Sequence, residues 1–369
     1  MNPDQDLETV AFEGLDGVEG QLDAWQRLME SARADALFNG PTWVMAHVRA
    51  FAPETSLFGW TIYRGGEPMA LFAFRIEESR GTFALRRGQA AADGSFDSDY
   101  CEPLIRPGFE EAAARALLDR LAEQRRVEAL VLTGLRSDFP FLKSLHDELV
   151  SRGQPMRVRE STCLALELPA SFDGYLEHLK PRMRTKVRSA IRQAEENGAR
   201  ATLCSEPDEL GPYLDELFLL HGRRWRTAGQ PGSFEDSRRR VFYRSMASEF
   251  LRQGALRLTR LVKGTQALAS QLGIVLNGTY YQLQEGYDPE FSHQRVGVAL
   301  RGLAIRGLID EGVGRYDFLA GDSTHKRDWG GTPEPCTTLA FGVPRWRARW
   351  SYGMRALVDR LRPRQSSIR

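Results

Sequence analysis

Asp322 and Lys326 have the residue types and the spacing that group-transfer chemistry needs. Both lie in the segment GDSTHKRDW (321–329), which follows the apolar run RYDFLA (315–320). A lysine beside a strand end can donate a hydrogen bond to a phosphate, or to a carbonyl oxygen during acyl transfer. Asp322 could orient that lysine or act as a base, or it could cap a turn beside a solvated Lys326. The residues alone leave both interpretations open.

A second candidate site consists of Arg295, Val296, Gly297 and Val298, at the start of a predicted helix over 294–311. A helix N-terminus presents unpaired N–H groups and a partial positive charge. Arg295 adds a full charge, and Gly297 allows a close backbone approach, so the segment predicts a phosphate site. An ordinary strand-to-helix connection would have the same spacing, and this alternative stays open.

Hydrophobic periodicity places these residues in the second of two similar halves. Each half has a pattern of helices, then an antiparallel strand meander, then a helix and a further strand. The sequence therefore predicts an α/β fold of two tandem domains, each with a mixed, mostly antiparallel sheet flanked by helices. The predicted limits are 1–157 and 158–344, followed by a basic amphipathic helix and tail over 345–369.

The composition is that of a folded, nearly neutral protein. The 369 residues include 50 basic and 49 acidic side chains, with a formal net charge of +1 and 42% apolar residues. These values exclude a disordered chain and a collagen-like chain. Near-neutrality argues against general nucleic-acid binding, and no DNA partner is expected. The charge is nevertheless zoned, with seven basic residues against two glutamates over 180–200.

The sequence predicts a metal-free protein of the cytoplasm. Its four cysteines are scattered without a CxxC pair, and its six histidines are dispersed. The acidic first residues lack the apolar region of a secretory signal, and no apolar run approaches the roughly 18 residues of a membrane span. The predicted helix over 345–369 has an apolar stripe that includes Trp346 and Trp350. The stripe is expected to dock on the protein itself, and peripheral contact with the inner membrane is the alternative.

Several motifs of the second half resemble a known family. The segments YDPEF (287–291) and YDFLAGDSTHKRDWG (316–330) are similar to the signature of CelD-like acetyltransferases of the GNAT superfamily, which are related to Fem-type peptidyltransferases. The Arg-rich segment 179–199 and the segment LHGRRWRTAGQPGSF (220–234) also resemble that family. The resemblance covers 166–342, whereas 1–157 matches in layout only, as a first GNAT-like domain without a cofactor site.

The resemblance implies an acyltransferase. Such enzymes bind acyl-CoA at a splayed strand and the following helix N-terminus, and they transfer the acyl group directly, without a metal or a covalent enzyme intermediate. The donor would be acetyl-CoA or another acyl-CoA. The acceptor would be an amine or hydroxyl of a small molecule or glycan, such as a sugar, polysaccharide or cell-envelope precursor, which points to polysaccharide biosynthesis.

The resemblance also implies roles for individual residues. The base would be Glu285 or Asp322. Tyr287 would donate a proton to the leaving thiolate, and Lys326 would be the positively charged catalytic group. The cofactor-binding residues would be Arg295, Val296, Gly297 and Val298, and the substrate-binding residues Arg184, Trp225, His325 and Trp329. The chain departs from the family pattern in two places. It has Gln294 to Gly297 where the family has Ser-Pro-Gly, and His325 where the family has tyrosine.

Two alternatives remain at this stage. Fem-type relatives take aminoacyl-tRNA, and the stripe of Arg184, Arg188 and Arg192 could meet an anionic partner. No aromatic residues interleave with this stripe, which disfavours tRNA. A solvated helix face is the plainer interpretation of the same stripe. The second alternative is a non-catalytic GNAT-like subunit that contacts an exopolysaccharide synthase complex.

Overall fold

The computed structural model describes residues 7–32, 37–53, 56–78, 85–93, 97–227 and 229–343. They group into two compact units. Unit 1 comprises Met1–Ser161 and Pro335–Arg369, and unit 2 comprises Thr162–Glu334. The tail over 345–369, for which a basic amphipathic helix is predicted, lies outside the described residues. None of the helices within the described ranges is long and apolar enough to cross a bilayer.

The described residues form strands and helices in alternation. The strands are β1 (Leu7–Glu13), β2 (Leu57–Arg64), β3 (Glu67–Glu78), β4 (Arg86–Ala90), β5 (Leu104–Ile105), β6 (Ala129–Arg136), β7 (Met156–Glu167), β8 (Ala199–Leu203), β9 (Leu256–Lys263), β10 (Gln266–Leu276), β11 (Thr279–Tyr287), β12 (Arg315–Ala320) and β13 (Thr332–Gly342). The α-helices are α1 (Gly14–Glu19), α2 (Leu22–Met29), α3 (Pro41–Phe51), α4 (Glu110–Glu123), α5 (Pro140–Ser151), α6 (Phe172–His178), α7 (Pro181–Glu196), α8 (Pro207–Thr227), α9 (Ser237–Arg252), α10 (Val296–Asp310) and α11 (Thr324–Asp328).

The two units have the same strand arrangement. The strands of unit 1 have the order β1-β2-β3-β4-β6-β13, and those of unit 2 have the order β8-β9-β10-β11-β12-β7. In each, the first four strands are antiparallel, the fourth and fifth are parallel, and the sixth is antiparallel to the fifth. The predicted α/β class, with a mixed and mostly antiparallel sheet flanked by helices, is confirmed.

The limits of the units differ from the predicted domains at both ends of unit 2, which begins at Thr162 rather than at 158 and ends at Glu334 rather than at 344. The segment 335–344 was assigned to the second domain from sequence, whereas Pro335 onward groups with unit 1. The reason is hydrogen bonding, because β13 pairs with β6 from Cys336 opposite Arg136 to Gly342 opposite Ala129. The apolar pattern of β13 identifies it as a strand but carries no information about its partner.

Local sequence explains where several elements begin and end. Gly65 and Gly66 have φ of 58° and 79°, as a tight hairpin turn requires, and they connect β2 to β3. Ser171 accepts a hydrogen bond from the backbone N–H of Gly174 and so caps α6. Pro181 occupies the first turn of α7, where its missing N–H costs nothing, and α7 is a separate helix from α6.

The parallel strands β11 and β12 of unit 2 are paired over a short stretch. The ladder joins 279–281 to 315–317. β11 continues to Tyr287 and β12 to Ala320, and the backbone of Leu319 in β12 turns into the left-handed region with φ of 63°. Ligands of α/β sheets commonly bind outside the carboxyl ends of strands. The carboxyl ends of these two strands are therefore the first place to look for a site.

Helices cover this part of unit 2 closely. α10 packs on β10 and against α7, and α8 packs on β10 and β11. A Cβ added at Gly286 in β11 would lie 2.3 Å from the backbone nitrogen of His221 in α8. Backbone atoms cannot move aside as a flexible side chain can. Gly286 is therefore required by the approach of α8 to β11.

We expect Gly286→Ala to lower the free energy of unfolding by about 1–3 kcal/mol, because the methyl group overpacks the contact with α8. Gly307→Ala is the matched control, since a Cβ at Gly307 in α10 meets no atom within 4 Å. The control should gain about 0.5–1 kcal/mol from helix propensity. Denaturant unfolding of both variants measures this. Equal stability of the Gly286 variant and wild type would contradict the packing argument.

Candidate active site

A cavity of about 320 Å³ lies in unit 2 beside the carboxyl half of β11 and the start of α10. Eight of the twelve residues predicted for the site line it. They are Glu285, Tyr287, Arg295, Val296, Gly297, Val298, His325 and Trp329. The further lining residues are Lys186, Arg224, Ser270, Gln271, Gly286, Ser292, Leu300 and Arg301. The cavity thus has one carboxylate among four side chains that carry permanent positive charge.

Glu285 in β11 lies between two arginines. Its Oε1 accepts a hydrogen bond from Nη1 of Arg224 at 2.9 Å, and its Oε2 accepts one from Nη2 of Arg301. The Glu285 side chain is 22% exposed, and the Arg301 side chain is 4% exposed. A guanidinium buried to this extent requires an anionic partner. Glu285 is therefore the counter-ion of Arg301.

The charge state of Glu285 follows from these contacts. Burial alone would raise the pKa of Glu285, but the positive charges of Arg301 and Arg224 outweigh burial and lower the pKa to about 2. A general base works best when its pKa lies near the operating pH. With both oxygens engaged by arginines, Glu285 is suited to positioning Arg224 and Arg301 rather than to accepting a proton.

Arg301 connects several parts of the cavity. Its Nη1 donates to Nε2 of His325 at 2.8 Å, and its Nη2 also donates to Oε1 of Gln282 at 3.3 Å. Its guanidinium lies 5.2 Å from the ring centre of Trp329 and 5.9 Å from that of Phe318. These distances are within the range of cation–π attraction. Arg301 thereby holds β11, α11 and the aromatic wall in one arrangement.

His325 in α11 borders the cavity and is more than a third exposed. Burial of the ring edge next to Arg301, and then the positive charge of Arg301, lower the pKa of His325 to about 4. The imidazole is therefore neutral at pH 7. A hydrogen-bonding role fits this environment better than proton transfer does.

The start of α10 has an unusual backbone. A 3-10 helix (Pro289–Gln294) precedes it, and Arg295 between the two helices has φ of 55° and ψ of 36°, in the left-handed region. A Cβ at Gly297 would lie 3.3 Å from Cδ1 of Tyr287, so the glycine leaves the helix start close to that ring. No acidic residue occupies the first turn of α10. Anions are stabilised at such a terminus.

Asp322 and Lys326 lie apart from the cavity lining. Asp322 is bound by Arg327 through two hydrogen bonds of 2.5 and 2.7 Å, and both side chains are more than 40% exposed. Nζ of Lys326 donates to the backbone oxygens of Leu319 and Ala320 at 3.1 and 2.6 Å. Asp322 thus pairs with Arg327 rather than with Lys326. The lysine holds the end of β12, where Leu319 departs from regular strand geometry.

The three predicted substrate-binding residues besides His325 have separate environments. Arg184 in α7 donates to the backbone oxygens of Glu177 and Leu179 and does not line the cavity. Trp225 in α8 donates its indole N–H to Nε2 of His221 at 2.8 Å, also away from the cavity lining. Trp329 is buried in the cavity wall.

The predicted arginine stripe on α7 is engaged within unit 2. Arg188 lies 3.5 Å from Asp173 and Arg192 lies 3.8 Å from Glu196. Lys186, on a different face of the helix from the stripe, borders the cavity instead. Over the described ranges, His, Cys, Asp and Glu side chains form no group that could hold a metal ion.

Sequence reasoning missed Arg301, Arg224, Ser270 and Gln271. A signal existed for Arg301, because it falls four residues before Ile305 on a helix whose buried positions are otherwise apolar or glycine. A charged residue on a buried stripe needs a partner, and such residues mark candidate sites. Arg224 gave no comparable signal, since it lies in a segment with two other arginines, Arg223 and Arg226.

We expect Glu285→Gln to lower the free energy of unfolding by about 3 kcal/mol at pH 7, because it leaves the Arg301 cation buried without its counter-ion. The folded-state pKa of Glu285 is depressed, so its contribution is complete above the unfolded value of about 4.3 and disappears as pH falls toward 2. Denaturant unfolding at several pH values between 3 and 7 should show the difference from wild type shrinking at acid pH.

The matched control is Glu195→Gln, which removes a carboxylate that is 54% exposed and lies 3.6 Å from Arg306. Its effect should stay below about 1 kcal/mol. A Glu285→Gln variant as stable as wild type at pH 7 would show that Arg301 does not depend on this carboxylate.

Comparison with known proteins agrees with the geometry. A model of the acetyltransferase (GNAT) domain matches residues 181–327. FemX has a similar structure, with a TM-score of 0.59 and 12% identity over 86% of this chain and 95% of that chain. L-PGS from Bacillus licheniformis gives a TM-score of 0.54 and 11% identity over 92% and 95% of the two chains.

A conserved protein of unknown function from Bacteroides thetaiotaomicron is also similar, with a TM-score of 0.57 and 12% identity over 87% of this chain and 97% of that chain. Identities this low establish the fold alone. No curated protein sequence matches the chain significantly. The GNAT domain model matches less than half of the chain, and the matched segment contains every residue that lines the cavity except Trp329.

Proposed function

We propose that unit 2 is an acyltransferase that moves an acyl group, most simply acetyl, from acyl-CoA to an amine or hydroxyl acceptor by direct transfer. The observation that carries the proposal is the position of the cavity. It lies where β11 extends beyond its pairing with β12 and where α10 begins, and it is bordered by Lys186, Arg224 and Arg295. GNAT domains typically bind acetyl-CoA, and this one offers a cationic helix start for the donor's phosphates.

Two buried polar atoms support a bound ligand. The Oγ of Ser270 and the indole Nε1 of Trp329 are buried, and neither has a hydrogen-bond partner in the described part of the chain. Both residues line the cavity. A buried polar group without a partner is costly, and such groups are usually satisfied by a ligand or water. A thioester donor with two amides in its pantetheine arm has the acceptor groups that these atoms need.

Tyr287 is the candidate proton donor for the leaving thiolate. It lines the cavity beside Gly297, and the guanidinium of Arg224 lies 5.5 Å from its ring centre. In the transfer, the acceptor nitrogen or oxygen bonds to the acyl carbon and the carbon–sulfur bond breaks. The proton lost by the acceptor ends on the sulfur. The protein supplies position and electrostatic stabilisation, without a metal or covalent intermediate.

The acceptor we propose is a small molecule or glycan, such as a sugar, polysaccharide or cell-envelope precursor, as the CelD-like motifs of the sequence suggest. Cytoplasmic location and peripheral contact with the inner membrane or an exopolysaccharide synthase complex stay predictions. The segment that would make such a contact, 345–369, lies outside the described residues. For unit 1 we propose no cofactor site, since the first turn of α4 carries Glu110 and Glu111, which disfavour an anion there.

A second candidate is aminoacyl-tRNA-dependent transfer of the Fem type. The observation that favours it is the structural similarity to FemX over 95% of that chain. Lys186 at the cavity and exposed Arg182 one turn before it on α7 would then meet the nucleic-acid backbone. The two candidates differ in the donor, and a binding experiment separates them.

We expect acetyl-CoA to bind the purified full chain, and Arg295→Gln and Gly297→Val to weaken binding at least about tenfold. The first removes a charge at the helix start, and the second fills the space beside Tyr287. Arg192→Gln, on the exposed face of α7, is the control and should bind as wild type does. Titration calorimetry measures the affinities.

Binding of aminoacyl-tRNA without binding of acetyl-CoA would favour the second candidate. The absence of binding by either donor at millimolar or saturating concentration would favour a non-catalytic subunit. If acetyl-CoA binds equally well to all four proteins, the helix start is not the phosphate site.

A further inference from the structure

The hydrogen bond between Arg301 and His325 fixes the tautomer of the histidine. A guanidinium has only N–H donors, so Nε2 of His325, 2.8 Å from Nη1 of Arg301, must be the acceptor. An imidazole nitrogen that accepts a hydrogen bond carries no proton. The proton of the neutral ring is therefore on Nδ1. A proton on Nε2 would place two donors against each other, and the contact with Arg301 would be lost.

The opposite edge of the ring is available to a ligand. His325 is more than a third exposed and lines the cavity, whereas its Nε2 side meets the buried Arg301. Within the ranges that the structure describes, Nδ1 has no hydrogen-bond partner. Glu285 anchors Arg301 from the other side, so the donor is held by a chain of contacts that runs from Glu285 through Arg301 to His325.

We propose that His325 donates a hydrogen bond from Nδ1 to the carbonyl oxygen of the acyl group and stabilises the negative charge that develops there. This role rests on the proposed acyl transfer, in which His325 would be the residue that polarises the acyl carbonyl. As the acceptor attacks, the carbonyl oxygen gains negative charge. When the carbon–sulfur bond breaks, the electron pair on oxygen re-forms the carbonyl double bond and the negative charge leaves on the sulfur. His325 keeps its proton throughout, and Arg301 acts as its positioning residue.

The environment suits this role. Arg301, Arg224 and Lys186 place positive charge around the ring, and Glu285 contributes negative charge. Protonation of the ring would break the contact with Arg301, because both groups would then be donors. A neutral, oriented donor in a preorganised cationic site needs no reorganisation during the reaction, which is the condition for strong transition-state stabilisation.

Nitrogen NMR of the full chain with ¹⁵N-labelled histidine tests the tautomer. The signals of His325 are assigned from their loss in His325→Gln. We expect Nδ1 to be protonated and Nε2 unprotonated, and we expect both signals to stay unchanged between pH 6 and 8. A proton on Nε2, or a change in the charge state of His325 between pH 6 and 8, would overturn the proposal.

Infrared spectroscopy of bound acetyl-CoA, ¹³C-labelled at the carbonyl, tests the donation. The carbonyl stretch should lie at lower wavenumber on wild type than in buffer. His325→Phe, which keeps an aromatic ring but has no N–H, should abolish this shift, and His325→Gln should retain part of it. In turnover, His325→Phe should lower kcat by about 10²–10³-fold with little change in KM.

The outcomes separate the two proposals. An unchanged carbonyl shift in His325→Phe would overturn the role of His325 while leaving the acyl-CoA function intact. If acetyl-CoA does not bind at all, the proposed function fails and the carbonyl donation is withdrawn with it, although the NMR result still decides the tautomer. Thermal unfolding of each variant establishes that it is folded before either spectrum is compared.

Discussion

The buried pair of Glu285 and Arg301 is the interaction on which the site of unit 2 depends. Arg301 projects from α10, a helix that is otherwise packed through apolar and small residues, and its side chain is 4% exposed. A cation in that position is tolerated only with an anion and enough acceptors. β11 provides the carboxylate, and His325 and Gln282 provide two more acceptors. Removing any of these partners therefore disturbs the orientation of the others.

The pair also decides which chemistry each group can perform. A carboxylate engaged by two guanidinium groups is a weak base, and a histidine that accepts from an arginine is a neutral donor. Glu285 and His325, whose residue types suggest proton transfer, therefore act through their charge and hydrogen bonds in a preorganised cavity. Direct acyl transfer is a reaction that such a cavity can serve, because it requires orientation and charge stabilisation more than a strong base.

Much of the fold could be predicted from the sequence because its signals are local. The Gly65-Gly66 hairpin, the Ser171 cap and the break at Pro181 each depend on residues within one turn or strand. The helix start at Arg295 to Val298 was likewise recognisable. The pairing of β13 with β6 was not, because the two strands are nearly 200 residues apart and any apolar strand could fill that position.

The site was less predictable for a related reason. Whether Asp322 pairs with Lys326 or with Arg327 depends on side-chain directions in a five-residue helix, which spacing does not determine. Lys326 is the right type of residue for catalysis, yet the backbone oxygens of Leu319 and Ala320 occupy its ammonium group. The sequence shows Arg301 as a charged residue on an otherwise apolar helix face. Its partner Glu285 is in β11, and only the tertiary fold shows that the two are in contact.

The pairing of β13 with β6 has a consequence for the order in which the chain acquires structure during synthesis. Unit 2 is one continuous segment, Thr162–Glu334, so all its strands are synthesised before β13 is complete. Unit 1 leaves first, but its sheet lacks the strand beside β6 until the ribosome has added more than 170 further residues. The edge of β6 is an open template for other strands during that interval. The half of the protein that is synthesised first is therefore the half that finishes folding last.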